Sequence, residues 1–127
     1  MNIAEVDNTL SSYGNLDGAL VLKFQFDLGP TRETRSALVE LKAFRNSPTK
    51  GKGDWRKLRI TALGNAMFSW REMSWDSNLV LTWPVKVIGH SEIVIIDFDP
   101  LHSITHKTNV NLSGYFLGGA KILCEEF

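Results

Sequence analysis

A chain of 127 residues that is 43% hydrophobic and 22% charged has the composition of one ordinary globular domain. Its 14 Lys and Arg balance 14 Asp and Glu, so no bulk field draws it toward nucleic acid or an anionic membrane. A single cysteine excludes a disulfide within the sequence, and no apolar run reaches the roughly 20 residues of a membrane span.

The N-terminus has no basic region followed by an apolar stretch, so a signal peptide is not expected and a cytoplasmic domain is. Residues 1–16 form a leading segment in which Ile3, Val6 and Leu10 stand at helical spacing and Gly14 can end the turn. This predicts a short docked helix. The poor helix formers Asp7-Asn8-Thr9 and Ser11-Ser12 make a loose tail the alternative.

Residues 17–127 read as one antiparallel β domain. Leu20, Leu22, Phe24, Phe26 and Leu28 share one face of a first strand, with Val21, Lys23, Gln25 and Asp27 on the other. Gly29-Pro30 ends it. In a second strand, Ser36 to Arg45, Ala37, Val39, Leu41 and Ala43 point inward while Glu40 and Lys42 point outward. Asn46 to Asp54, with Pro48, Gly51 and Gly53, reads as an exposed, mobile loop. Trp55 opens a third strand with Leu58, Ile60 and Ala62 inward. Leu63-Gly64-Asn65 then turns the chain into Ala66, Phe68 and Trp70.

The most β-branched stretch, Asn78 to Pro100, predicts a hairpin. Leu79, Leu81, Trp83, Val85 and Val87 alternate on one arm, and Val94, Ile96 and Phe98 answer on the other. A type II′ turn at Gly89-His90 would set Val85 opposite Val94, Trp83 opposite Ile96 and Leu81 opposite Phe98. Pro84 has no N–H to give such a ladder, so a bulge or a sheet edge is expected there. Leu101 to Asn111 is polar and aperiodic. Ser113 to Glu125 supplies one or two closing strands, with Gly118-Gly119 as a bulge or tight turn and Ile122 and Cys124 on one face. Seven to nine short strands with little helix predict a mainly β fold, an antiparallel β-sandwich in preference to a small barrel.

Chemistry-bearing groups are sparse. Asp97, Asp99, His102 and His106 could surround a divalent ion, but the two imidazoles converge only on a helix, and Ser103-Ile104-Thr105 disfavours one. A turn after a strand is the reading taken, with no metal, no cofactor and no catalytic residue assigned. Cys124 stands in an alternating strand, where a buried, inert thiol is usual. Arg45, Lys50, Lys52, Arg56, Lys57 and Arg59 surround Trp55, yet Lys57 and Arg59 fall on the outer face of a strand, where solvated charges are normal. Nucleic acid is therefore not the expected partner. Trp70 and Trp83 belong to the core by alternation. Trp75, beside Glu72 and Asp76 in a polar connection, is the aromatic expected to face a partner.

Four features in order carry a resemblance: Trp55-Arg-Lys-Leu-Arg-Ile60, Leu63-Gly-Asn65, Ile95-Ile-Asp-Phe-Asp-Pro100 and Ser113-Gly-Tyr-Phe-Leu-Gly-Gly-Ala-Lys-Ile122. Over residues 18–125 the chain resembles small bacterial β-rich proteins, some of them grouped with the immunity proteins that neutralise toxin domains. The resemblance implies a non-enzymatic protein that masks a toxin's active site, and it carries over no functional residue. Acidic groups would meet a basic toxin site, which makes Glu72, Asp76, Asp97 and Asp99, with Trp75, the candidate binding residues. The competing expectation is a small-ligand or carbohydrate-binding sandwich, or a metal-dependent hydrolase using Asp97, Asp99, His102 and His106.

Overall fold

The computed structural model describes residues 2–46, 53–70, 80–81, 84–100, 104–105 and 111–127. Within them lie one α-helix, α1 (Ile3–Ser11), and ten strands. These are β1 (Leu20–Asp27), β2 (Ser36–Arg45), β3 (Asp54–Leu63), β4 (Met67–Ser69), β5 (Lys86–His90), β6 (Ile93–Asp97), β7 (Ile104–Thr105), β8 (Asn111–Leu112), β9 (Phe116–Gly119) and β10 (Lys121–Glu126). Eight of the strands build two open antiparallel sheets, in the orders β1-β2-β3-β10 and β4-β9-β6-β5, and β7 pairs with β8. The expected antiparallel sandwich forms, and it does not close into a barrel. No helix among the described residues is long and apolar enough to cross a membrane.

One core lies between the sheets. Val39, Leu41, Leu58, Ile60 and Ile122 enter it from the first sheet, and Val94, Ile96 and Leu117 from the second. The inward rows of β2 and β3 fall where alternation puts them. Helix α1 adds Val6 and Leu10, so the leading segment is docked and not a tail. Thr9 and Ser11 bond back to the carbonyls of Glu5 and Asn8, which lets these weak helix formers sit in the helix. Asn2, at the N-cap position, does not cap. Its side-chain amide donates to the carbonyl of Ile122 (2.8 Å) and accepts from the amide of Ile122 (3.4 Å), occupying part of the free edge of β10.

Three readings need correction. The first concerns β1, whose alternation breaks at a register shift between Val21 and Lys23. Leu22 is the extra residue and is exposed, while Val21 points into the core with Leu41 opposite it. The shift moves Leu20 and Leu22 out of the apolar row, and only Phe24 and Phe26 keep their predicted side.

The second is the hairpin turn, which lies at Ser91-Glu92 (φ 49° and 66°) and not at Gly89-His90. Two left-handed residues make a type I′ turn, whose twist matches that of the strands. Gly89 instead pairs with Val94, and Val87 with Ile96. Sliding the partner by an even number of positions turns no side chain over, so Val85, Val94, Ile96 and Phe98 remain buried. The extended ladder to Leu81 does not form. Leu81 exchanges hydrogen bonds with Gly18 and Ala19 beside the first sheet, and Val80 bridges Leu20. Leu81 thus lies beside the first sheet, Pro84 stands outside any strand, and β5 then forms an edge of the second sheet. Trp83 lies outside the described residues, as do 47–52 of the loop expected to be mobile.

Third, Gly118-Gly119 is neither turn nor bulge but extended strand. The ribbon β3–β4 pairs with β9–β10 along its length and folds over from one sheet to the other. At the fold, Gly64, Asn65 and Ala66 oppose only Gly119 and Ala120, and Gly64 (φ 79°) and Asn65 (φ 50°) absorb the surplus residue. A Cβ on Gly119 would lie 3.1 Å from the amide nitrogen of Leu63 and 3.2 Å from its carbonyl oxygen, whereas one on Gly118 would meet only the side chains of Met67 and Ile95. Gly119→Ala is accordingly expected to cost about 1–3 kcal/mol and Gly118→Ala clearly less, because a methionine yields and a backbone does not. Thermal midpoints of the two variants in parallel check this. Equal losses would contradict the crowding described at the fold.

Candidate binding surface

The five candidate residues do not gather into one described site. Glu72, Trp75 and Asp76 lie outside the described residues, as do His102 and His106. Asp99 is half-buried, and its amide donates to Asp97 Oδ1 (3.0 Å). Asp97 is wholly buried. Its Oδ2 accepts the amide of Ser113 (2.9 Å), and its Oδ1 also accepts the Ser113 hydroxyl. Ser113 Oγ in turn accepts the amide of Tyr115 (3.0 Å). A carboxylate held this way fastens the segment before β9 onto the back of β6. With no surface of its own, Asp97 cannot meet a partner in this conformation, which corrects its expected place in an acidic docking patch. Among the described residues no three His, Cys, Asp or Glu side chains converge.

Trp70, assigned to the core by alternation, is the hub of an aromatic group. Its ring centroid lies 4.5 Å from that of Phe24, 5.8 Å from Phe98 and 5.1 Å from Tyr115. Between α1 and the edge of β10 runs a groove of about 180 Å³, lined among others by Glu5, Thr9 and Cys124. Burial, then the charge of Glu5, pushes the Cys124 thiol up to about 12, so it stays protonated and a poor nucleophile at neutral pH.

Beyond the core, at the open end of the first sheet, Arg45 and Arg56 flank Glu126 at 3.2 and 3.9 Å, and the Tyr13 hydroxyl donates to Glu126 at 2.6 Å. Burial, then the bond to Glu126 and its charge, raises the Tyr13 phenol to about 12. The unfolded phenol ionises near 10, so above that pH the folded state binds the extra proton and stability falls as pH rises toward 12. Between pH 9 and 12 the wild type is expected to lose more stability than Tyr13→Phe does, measured as the drop in urea midpoint. Parallel drops would show that the phenol does not contribute.

The outward face of the first sheet is where exposed aromatics collect. Strand registers place its side chains in rows across β1, β2, β3 and β10. One row reads Lys23, Glu40, Arg59, Glu125, alternating in sign, with Arg59 3.3 Å from Glu40 and 3.7 Å from Glu125. Such a row is the ordinary solvated face of an antiparallel sheet. The next rows are different. Lys42 stands directly opposite Lys57, both exposed, and no ion pair is formed by either among the described residues. Beyond them Phe44 stands opposite Trp55, the rings edge to face with centroids 5.6 Å apart. Phe44 is 40% exposed and Trp55 52%. Gly53 makes room, since any Cβ there would strike the Phe44 ring. Phe127, 48% exposed, follows beside Lys57, with the Arg59 guanidinium 4.4 Å from its ring centroid.

This aromatic group was legible in part. Alternation that sends Leu41 and Ala43 inward must send Phe44 outward, and Trp55 shares the parity of Lys57 and Arg59. What alternation could not supply is that Phe44 and Trp55 are cross-strand neighbours. No protein-family model, curated protein or solved structure matches the chain.

Proposed function

We propose that this chain is a non-catalytic protein-binding domain of the immunity type, holding one face of its first sheet against a partner in the cytoplasm and masking a toxin domain. The observation that carries the reading is the exposed group Phe44, Trp55 and Phe127 on the outward face of a sheet whose other face supplies Val39, Leu41, Leu58 and Ile60 to the core. Large aromatic side chains and arginine are what protein interfaces concentrate at their centres, with charges at the rim. A four-stranded sheet also presents them with little conformational freedom left to lose on binding.

The test is co-expression with the product of a neighbouring gene, followed by size-exclusion chromatography and a growth assay. A stoichiometric complex that relieves toxicity is the expected result. Trp55→Ala should weaken that complex about tenfold or more while leaving the melting temperature nearly unchanged. Absence of a toxic neighbour and of any protein complex would end the proposal.

A further inference from the structure

Resting on the protein-binding reading, one feature of the outer face narrows the partner's chemistry. Two lysines directly opposite each other on adjacent strands destabilise a sheet, and the neighbouring row shows how this chain otherwise avoids such pairing. Arg59, beside the aromatic group on this face, already has Glu40 and Glu125, while Arg45 and Arg56 stand in the register rows of the opposite face, with Glu126 and Asp54. Lys42 and Lys57 are left, flanked on one side by Phe44 and Trp55 and on the other by Phe127. We infer that this Lys42–Lys57 pair and the Phe44–Trp55 pair together dock an acidic segment of a protein partner. Its Asp or Glu side chains meet the two ammonium groups, and an apolar side chain packs on the rings.

A single-stranded nucleic acid fits the same surface less well. Affinity for a phosphate backbone grows with the number of cations that displace its counterions, and among the described residues Lys42 and Lys57 are the cations directly beside the aromatic pair that form no ion pair. Glu40 and Glu125 are interleaved with the bases on this face and would repel a continuous polyanion. A peptide can place one or two carboxylates and leave the rest of its surface neutral.

The experiment selects peptides of about a dozen residues from a random displayed library against the full chain, then measures synthetic versions by fluorescence anisotropy, with oligo-dT in parallel. Expected are peptides carrying Asp or Glu next to a large apolar residue. Their affinity should fall about tenfold in Trp55→Ala and at least as far in Lys57→Glu, both exposed positions at which folding is checked by circular dichroism. Exchanging the peptide's acids for lysine should restore binding to Lys42→Glu/Lys57→Glu and abolish it for the wild type. Enriched peptides that are neutral or basic, yet still lost in Trp55→Ala, would overturn the acidic partner and leave the protein-binding reading standing. Tighter binding of oligo-dT through the same residues would overturn it in favour of nucleic acid. Failure to enrich any peptide sensitive to Trp55→Ala would overturn the inference, whereas the binding reading itself falls only with the co-expression test.

Discussion

Asp97→Ala should lower stability by about 3–5 kcal/mol, a large effect for a domain of this size. The carboxylate accepts from the amide and hydroxyl of Ser113 and from the amide of Asp99, and the residue has no exposed surface. Alanine takes this acceptor from the amides of Ser113 and Asp99, while the Ser113 hydroxyl keeps the carbonyl of Tyr115 (3.2 Å), and each buried donor left without an acceptor costs about 1–3 kcal/mol. Asp97→Asn keeps one acceptor and turns an NH₂ toward a donor, so it should fall between alanine and wild type. Urea unfolding measures both, with a shifted midpoint and an unchanged slope. Hydrogen exchange at the Ser113 amide should speed up in both variants, since that bond ties the segment before β9 to the sheet. A loss under about 1 kcal/mol for alanine would mean that water replaces the carboxylate, contrary to the buried geometry.

Leu10→Ala is expected to cost about 2–5 kcal/mol, the range for removing a fully buried leucine. At nine residues, α1 is too short to persist in water by itself, so its stability must come from Val6 and Leu10 in the core and from Asn2 on the edge of β10. Asp7→Ala, on the exposed side of the same helix, should change stability by no more than about 0.5 kcal/mol. Denaturant midpoints of the two variants check the contrast. Were Leu10→Ala as mild as Asp7→Ala, the helix would be an appendage and not the cover between the edges of β5 and β10, both of which it touches.

The expected acidic docking patch illustrates where a reading by residue type stops. Asp97 and Asp99 alternate with Ile96 and Phe98, and from the chain alone both look outward, toward solvent. Asp97 does point away from the core, but Ser113, sixteen positions away, folds back over it and turns a surface acid into an internal tie. Conversely, the lysines around Trp55 look like an ordinary solvated row until the register sets Lys42 opposite Lys57 and Phe44 opposite Trp55.

Some properties of this protein are local, and the chain carries them openly. A side chain two positions along an extended strand must point the same way, so the inward rows Ala37-Val39-Leu41-Ala43 and Leu58-Ile60-Ala62 follow from the order of residues. Helical spacing of Ile3, Val6 and Leu10 and the weakness of Pro84 as a ladder residue are local in the same sense. Other properties depend on what arrives from far along the chain. The extra residue at Leu22, the turn at Ser91-Glu92, the fold-over at Gly64 and Ala120, the Asp97–Ser113 tie and the aromatic pair on the outer face were decided by tertiary structure. Alternation specifies which way a side chain faces. Only closing a common core between two sheets selects which distant strand will lie beside it, and in what register.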